Sequence, residues 1–112
     1  MNPQSAKAKG RKLQQWVRDL LVAKGLKEDD VQSRSMGAAG EDVMLSPYAR
    51  ESFPYSIECK NTERVNIWQS YAQASANAGI YEPLLIVKRN NHKPLAIVDA
   101  EHFTNRCFYV KL

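Results

Sequence analysis

Leu84-Leu85-Ile86-Val87 is the segment that most constrains the fold, because it places four apolar residues in succession. A strand with apolar side chains on both faces is typical of a central strand that is covered on both sides. Two helices with apolar stripes can supply that cover. The first is predicted at about 6–24, with Gly25 as its C-terminal stop, and the second at about 66–77, ending at Gly79. The stripe of the first helix consists of Leu13, Trp16, Val17, Leu20 and Leu21.

Shorter segments complete the predicted sheet. Asp42–Ser46 and the alternating segment Tyr55–Lys60 form a natural antiparallel hairpin around a polar turn. Leu95–Val98 is predicted as another buried strand after a turn at Asn90-Asn91, and residues 27–40 as a loop with a short strand near Val31. A helical turn at 100–105 and a last strand at 107–110 follow. The fold class is therefore α/β (α+β), with a mixed central sheet flanked by helices in the order α-β-β-α-β-β.

The composition fits one folded domain over residues 1–112, with residues 1–8 as a basic flexible arm. Hydrophobic residues make up 44% and charged residues 25%, which are ordinary values for a soluble protein. No apolar run approaches the roughly 20 residues of a membrane span, and the first ten residues lack the apolar centre of a secretory signal. We expect a cytoplasmic protein, in which Cys59 and Cys107 are free thiols.

Positive charge is concentrated at the N-terminal end of the chain. The net charge is +4, and residues 1–27 carry seven cations against the single anion Asp19. This excess could contact phosphates, and Lys9, Arg11 and Lys12 are the residues that we expect to do so. The alternative is a solvated, lysine-rich helix face, and charge alone does not separate the two.

Glu58 and Lys60 carry the strongest indication of chemistry. They lie two residues apart on a strand, so their side chains project to the same face, and Asp42 opens the preceding strand beside them. Two carboxylates on adjacent strands can share a hard cation such as Mg²⁺, and a lysine next to them can stabilise developing charge. By itself Glu-x-Lys usually marks a solvent-facing ion pair, but charge on an otherwise apolar strand is costly without a partner such as a metal.

From about Gly10 to Phe103 the chain resembles the PD-(D/E)XK nuclease superfamily, and within it the small phage and archaeal enzymes that are similar to Holliday-junction resolvases. The resemblance rests on an ordered set of segments: Gly10-Arg11, Ser35-Met36-Gly37, Gly40-Glu41-Asp42-Val43, Ile57-Glu58-Cys59-Lys60-Asn61, Trp68, Gln73 and Pro83-Leu84-Leu85-Ile86-Val87. It implies a restriction-endonuclease-like domain.

The resemblance also assigns roles. Asp42 and Glu58 match the two metal-ligand carboxylates, Lys60 matches the catalytic lysine, and the backbone carbonyl of Cys59 is a further metal ligand. Gln73 matches a glutamine that orients water or a phosphate.

Two positions depart from the pattern of the superfamily. Gln14 and Gln15 stand where the first helix often adds a carboxylate, and Glu41 stands where a proline often precedes the aspartate. Glu41 is a second candidate ligand, although a strand would point it away from Asp42.

The implied function is a metal-dependent endonuclease, using Mg²⁺ or Mn²⁺, that cuts branched DNA as a homodimer. Arg34 and Ser35, on the loop before the site, are expected to contact the DNA. The alternatives are a nicking or DNA-processing accessory nuclease of a phage, a non-catalytic DNA-binding module of the same fold, and a protein-interaction domain without a metal. The sequence leaves open whether RNA is also cut.

Overall fold

The structure is a computed structural model, and it describes residues 3–34 and 40–108. Within these residues the chain forms one five-stranded mixed sheet with its strands in chain order. β3 and β4 are parallel and the other neighbouring pairs are antiparallel. The strands are β1 (Val31–Ser33), β2 (Val43–Leu45), β3 (Tyr55–Asn61), β4 (Glu82–Lys88) and β5 (Leu95–Ile97). The helices are α1 (Pro3–Ala23), α2 (Ala49–Ser52), α3 (Ile67–Asn77) and α4 (Ala100–Cys107), with a 3-10 turn at Glu28–Asp30.

Helices cover β4 on both faces, as its apolar run predicts. Leu84 and Ile86 join the core beneath α1, whereas Leu85 and Val87 are buried on the face that carries α3. The α1 side of the core also contains Leu13, Val17, Leu21, Val31, Val43, Leu45, Ile57 and Cys59. The prediction of an α+β fold with a mixed, helix-flanked sheet is confirmed.

The first helix is longer than predicted. It begins at Pro3, so residues 3–8, which we predicted as part of a flexible arm, are helical. It ends where predicted, because Gly25 adopts a φ of +128° that favours glycine. The N–H of Gly25 donates to the Val22 carbonyl, and the N–H of Leu26 donates to the Leu21 carbonyl.

The predicted hairpin and second helix are also confirmed. Val43 on β2 pairs with Ile57 on β3 in antiparallel register, and the short helix α2 occupies the predicted polar turn. The side chain of Asn66 caps α3 by accepting a hydrogen bond from the N–H of Gln69.

Two predictions for the C-terminal part are wrong. The segment around β5 is not a buried strand: β5 lies at the edge of the sheet, and Leu95 is 65% exposed. Cys107 ends α4 rather than opening a strand, because Asp99 caps that helix and it continues through eight residues. The rest of the predicted last strand, at Tyr109 and Val110, lies outside the described residues.

The remaining predictions concern isolated side chains and membrane spans. Cys59 is buried, Cys107 is exposed, and both are free thiols as predicted. None of the helices in the described parts of the chain combines the length and apolar character that a membrane span requires.

Candidate active site

Asp42 is fixed against β3 by both its backbone and its side chain. Its N–H donates to the Ile57 carbonyl at 2.8 Å, and its Oδ2 accepts from the N–H of Cys59 at 2.7 Å. The β2–β3 pairing ends before Cys59. The Asp42 carboxylate therefore accepts the Cys59 N–H in place of a backbone carbonyl of β2. The hairpin thus brings Asp42 beside Glu58, as the sequence predicted.

Glu58 is buried against Asp42. Only 4% of Glu58 is exposed to solvent, and its carboxyl group shares a hydrogen bond with that of Asp42. Burial, followed by the negative charge of Asp42 and this hydrogen bond, raises the pKa of Glu58 from 4.5 to about 7. Asn77 Nδ2, which donates to Glu58 Oε2 at 3.3 Å, and the charge of Lys60 act in the opposite direction.

No lysine or arginine of the described residues forms an ion pair with either carboxyl group, and Lys60 acts on Glu58 only from a longer distance. That part of the chain also contains no cluster of three histidine, cysteine or acidic side chains able to hold a metal. A metal here would therefore use Asp42, Glu58, the peptide group and water. Such a mixed oxygen set suits Mg²⁺ or Mn²⁺.

Cys59 can contribute its carbonyl but not its thiol. In a strand the N–H and C=O of one residue point to the same side, so the Cys59 carbonyl leaves β3 on the side where its N–H meets Asp42. The thiol belongs to the core beneath α1. Burial, together with the charges of Asp42 and Glu58, raises its pKa, so it stays protonated.

Glu41 is committed to a different set of contacts. Its carboxylate forms an ion pair with Arg50 and accepts from Ser56 Oγ at 2.8 Å. Arg50 also donates to the Tyr55 carbonyl at 3.1 Å and lies over the ring of Tyr81. The negative charge of Glu41 is therefore neutralised within the chain, which makes Asp42 the better candidate ligand.

Lys60 and Gln73 line the same open groove of about 600 Å³, between the end of β3 and α3. The sequence predicted both residues as catalytic, and the fold brings them to one surface. Asn77, which the sequence interpretation missed, follows Gln73 by four residues on α3 and contacts Glu58. The i, i+4 spacing of Gln73 and Asn77 was the sequence signal that could have identified Asn77, because it places both amides on one helix face.

Neither candidate glutamine of α1 lies with the acidic pair. Gln14 is buried and accepts from Ser33 Oγ at 2.8 Å, on the α1 side of the sheet, whereas Glu58 contacts Asn77 on the α3 side. Gln15 lines a separate cavity with Arg18 and Glu28. The first helix therefore supplies no third ligand among its described contacts.

The predicted DNA-binding residues lie in two places. Arg11 and Lys12 are exposed on α1, and Lys9 forms an ion pair with Glu63 at 3.7 Å. Arg34 folds back over the loop before Asp42, where its Nε donates to the Glu41 carbonyl at 2.8 Å. Ser35, together with Met36 and Gly37 of the resemblance, lies outside the described residues.

Gly40 leaves room for Arg34 next to the site. Its φ is +95°, and a Cβ there would lie 3.4 Å from Arg34 Nη2. A larger residue would be strained in this conformation and would crowd the guanidinium.

Comparison of the chain with protein-family models, with curated proteins and with solved structures found no match. The chemistry of the site is therefore inferred from its own residues.

Proposed function

We propose that the protein is an endonuclease that uses Mg²⁺ or Mn²⁺ to hydrolyse phosphodiester bonds in DNA. The observation that carries this proposal is the contact between Asp42 and the buried Glu58, neither of which has an ion-pair partner among the described residues. Two carboxylates in contact are costly to ionise together, and a divalent ion held between them removes that cost. Asp42, Glu58 and the Cys59 carbonyl would hold the ion.

Each neighbouring residue then has a distinct task. A metal held by these groups would supply Lewis-acid polarisation of the phosphate and a water of lowered pKa. Lys60, whose side chain lines the groove, stabilises negative charge on the phosphate as it develops. Gln73 orients water or a phosphate oxygen from α3, and Asn77 holds the Glu58 carboxylate in position.

The groove supports a nucleic acid as the substrate. Besides Lys60 and Gln73, its polar lining includes Thr62, Arg64, Asn66 and Gln69. These hydroxyl, guanidinium and amide groups are typical donors to a sugar-phosphate backbone. Three further parts of the proposal rest on the sequence. They are membership of the PD-(D/E)XK superfamily, action on branched DNA as a homodimer, and a cytoplasmic location.

Cleavage of defined DNA structures tests the proposal. A four-way junction, a linear duplex and single-stranded DNA are incubated with the protein in Mg²⁺ or in EDTA. We expect Mg²⁺-dependent cutting, preferentially of the junction. Asp42→Asn and Lys60→Ala should each remove cutting while retaining DNA binding. Asp29→Asn and Lys27→Ala, which make the same changes at exposed positions, serve as controls.

Three outcomes would contradict parts of the proposal. Binding of DNA without metal-dependent cleavage of any substrate would reject the enzyme and favour a DNA-binding module. Full activity of either site variant would reject the role of that residue. Equal cutting of the linear duplex would reject selectivity for branched DNA.

A further inference from the structure

The core beneath α1 borders a cavity at one end of the sheet that is lined by both apolar and polar side chains. The α1-facing row of β3 runs from Ile57 through Cys59 to Asn61, and the matching row of β4 ends in Lys88, the register partner of Asn61. Here a cavity of about 360 Å³, open to solvent on one side, lies between α1, the sheet and the turn after β4. We call it the α1 cavity. Its lining includes Lys9, Lys12, Trp16, Asn61 and Lys88.

Two of the residues that line this cavity each have one buried polar atom without a hydrogen-bond partner among the described residues. These atoms are Nζ of Lys9 and Oδ1 of Asn61. The nearest carboxylate oxygen to Lys9 is Glu63 Oε2 at 3.7 Å, and this oxygen accepts from the N–H of Asn90 at 2.7 Å. Leaving such groups unsatisfied costs about 1–3 kcal/mol each, so a polar ligand is favoured there.

A hydrogen bond holds the amide of Asn61 against the backbone of Lys9. Asn61 Nδ2 donates to the Lys9 carbonyl at 2.9 Å, which ties α1 to the end of β3. Because this bond uses the amide nitrogen of Asn61, the amide oxygen Oδ1 remains as an acceptor. The two unsatisfied atoms are therefore a cationic donor and a neutral acceptor, and both belong to residues that line the cavity.

We propose that the α1 cavity binds one unpaired nucleotide of a DNA strand. A phosphate offers acceptors only and would satisfy Lys9 but not Asn61, whereas the edge of a nucleobase carries both donors and acceptors. Trp16, which is 45% exposed, offers a ring face for stacking the base. Lys12 and Lys88 supply positive charge for the phosphate. The volume lies within the roughly 300–1,000 Å³ of small-ligand sites.

This inference rests on the proposed endonuclease function and specifies its substrate. Side chains alternate along β3. Lys60 therefore faces the groove between the end of β3 and α3, and Asn61 faces the α1 cavity. The cavity begins about 7 Å along the strand from Cys59, at roughly 3.3 Å per residue. The two sites lie on opposite faces of the sheet near the end of β3, so a DNA strand with an unpaired nucleotide next to the cleaved bond would pass round that end to reach both.

Trp16 provides a direct test in the metal-free protein. The Trp68→Phe variant leaves Trp16 as the only tryptophan, so its fluorescence reports on Trp16. This fluorescence is measured in EDTA while a ligand is added. The ligands are deoxynucleoside monophosphates, inorganic phosphate, and a DNA duplex with or without a single-stranded tail. We expect saturable quenching by the nucleotides and by the tailed duplex. Lys9→Met and Asn61→Ala should each weaken nucleotide binding by about tenfold. Lys24→Ala, at an exposed position of the chain just after α1, should leave the affinity unchanged.

The outcomes separate this inference from the endonuclease proposal. If inorganic phosphate quenches the Trp16 fluorescence as strongly as a nucleotide does, the assignment of a base site is overturned. Absence of nucleotide binding in a protein that cuts DNA would overturn the α1 cavity alone. Nucleotide binding in a protein that cuts no DNA would support the cavity and overturn the endonuclease. If Asn61→Ala loses its fold by circular dichroism, Lys9→Met decides the test, because methionine retains the buried aliphatic stem.

Discussion

Glu41 and Asp42 are neighbours in the chain, but their carboxylates have opposite surroundings. Glu41 meets the guanidinium of Arg50 and the hydroxyl of Ser56. Asp42 meets a second carboxyl group, Glu58, and its other described side-chain contact is the N–H of Cys59. One charge is balanced by the protein itself, and the other is placed next to a charge of the same sign.

This difference separates a carboxylate that stabilises the fold from a pair that destabilises it. Removing Glu41 leaves a largely buried cation without its partner, which is costly. Removing the charge of Glu58 relieves repulsion by Asp42 and the cost of burying an ion. The same kind of substitution should therefore have opposite effects on stability at the two places.

The largest effect on stability is expected for Glu41→Gln. This variant should lower the free energy of unfolding by about 2–4 kcal/mol, because Arg50 loses a buried partner. Urea unfolding at pH 7 measures the change. Glu51→Gln is the matched control, since Glu51 is exposed on α2 beside Arg50. Equal stability of the two variants would mean that Glu41 has no special structural role.

Glu58→Gln should stabilise the metal-free protein at pH 8, on the order of 1–3 kcal/mol. The pKa of Glu58 is about 7 in the folded protein against an ordinary 4.5, so the folded state binds more protons between these values. The free energy of unfolding therefore falls as pH rises from 4.5 to 7. Urea unfolding in EDTA at pH 5 and pH 8 measures the effect. A wild-type protein as stable as the variant at pH 8 would contradict the repulsion.

Mg²⁺ should offset that repulsion in the wild-type protein. At 10 mM Mg²⁺ and a Kd near 1 mM, binding adds about 1.4 kcal/mol to the free energy of unfolding, or several degrees in Tm. Thermal unfolding at pH 8, with Mg²⁺ or EDTA, measures this shift. Asp42→Asn and Glu58→Gln should lose it and Glu41→Gln should keep it. A shift that survives in Asp42→Asn would place the metal elsewhere.

The smallest effect is expected for Asn77→Ala. The Asn77 amide lowers the pKa of Glu58 through its hydrogen bond, so its loss should move the pH midpoint of cleavage upward. We expect a change worth roughly 1 kcal/mol, or a few-fold in rate near neutral pH. Rates measured from pH 6 to pH 9 test this. Asn105→Ala, on the exposed surface of α4, is the control, and equal midpoints would show that Asn77 does not act on Glu58.

Local signals in the sequence were sufficient for several elements. The apolar run of β4 and the stop at Gly25 each depend on neighbours along the chain. The burial of β5 could not be predicted in this way, because an apolar segment becomes exposed when it lies at the edge of a sheet. The sheet order, which is a tertiary property, decides that outcome.

The same distinction applies to the candidate site. Glu58 and Lys60 share a face because of strand periodicity, and Asp42 joins them through a short hairpin. The contact between Asn77 and Glu58 depends on how α3 crosses the sheet, which the sequence pattern did not specify. The role of Glu41 likewise required Arg50, which α2 brings back to it.

The different settings of the two cysteines give the chain one attachment point for a reporter. Cys59 is buried, and the raised pKa of its thiol keeps the nucleophilic thiolate scarce. Cys107 is exposed on α4. A maleimide dye should therefore label Cys107 alone without any engineered substitution. Because β3 carries Cys59 in its interior, slow labelling at that second position would report opening of the strand that holds the acidic pair.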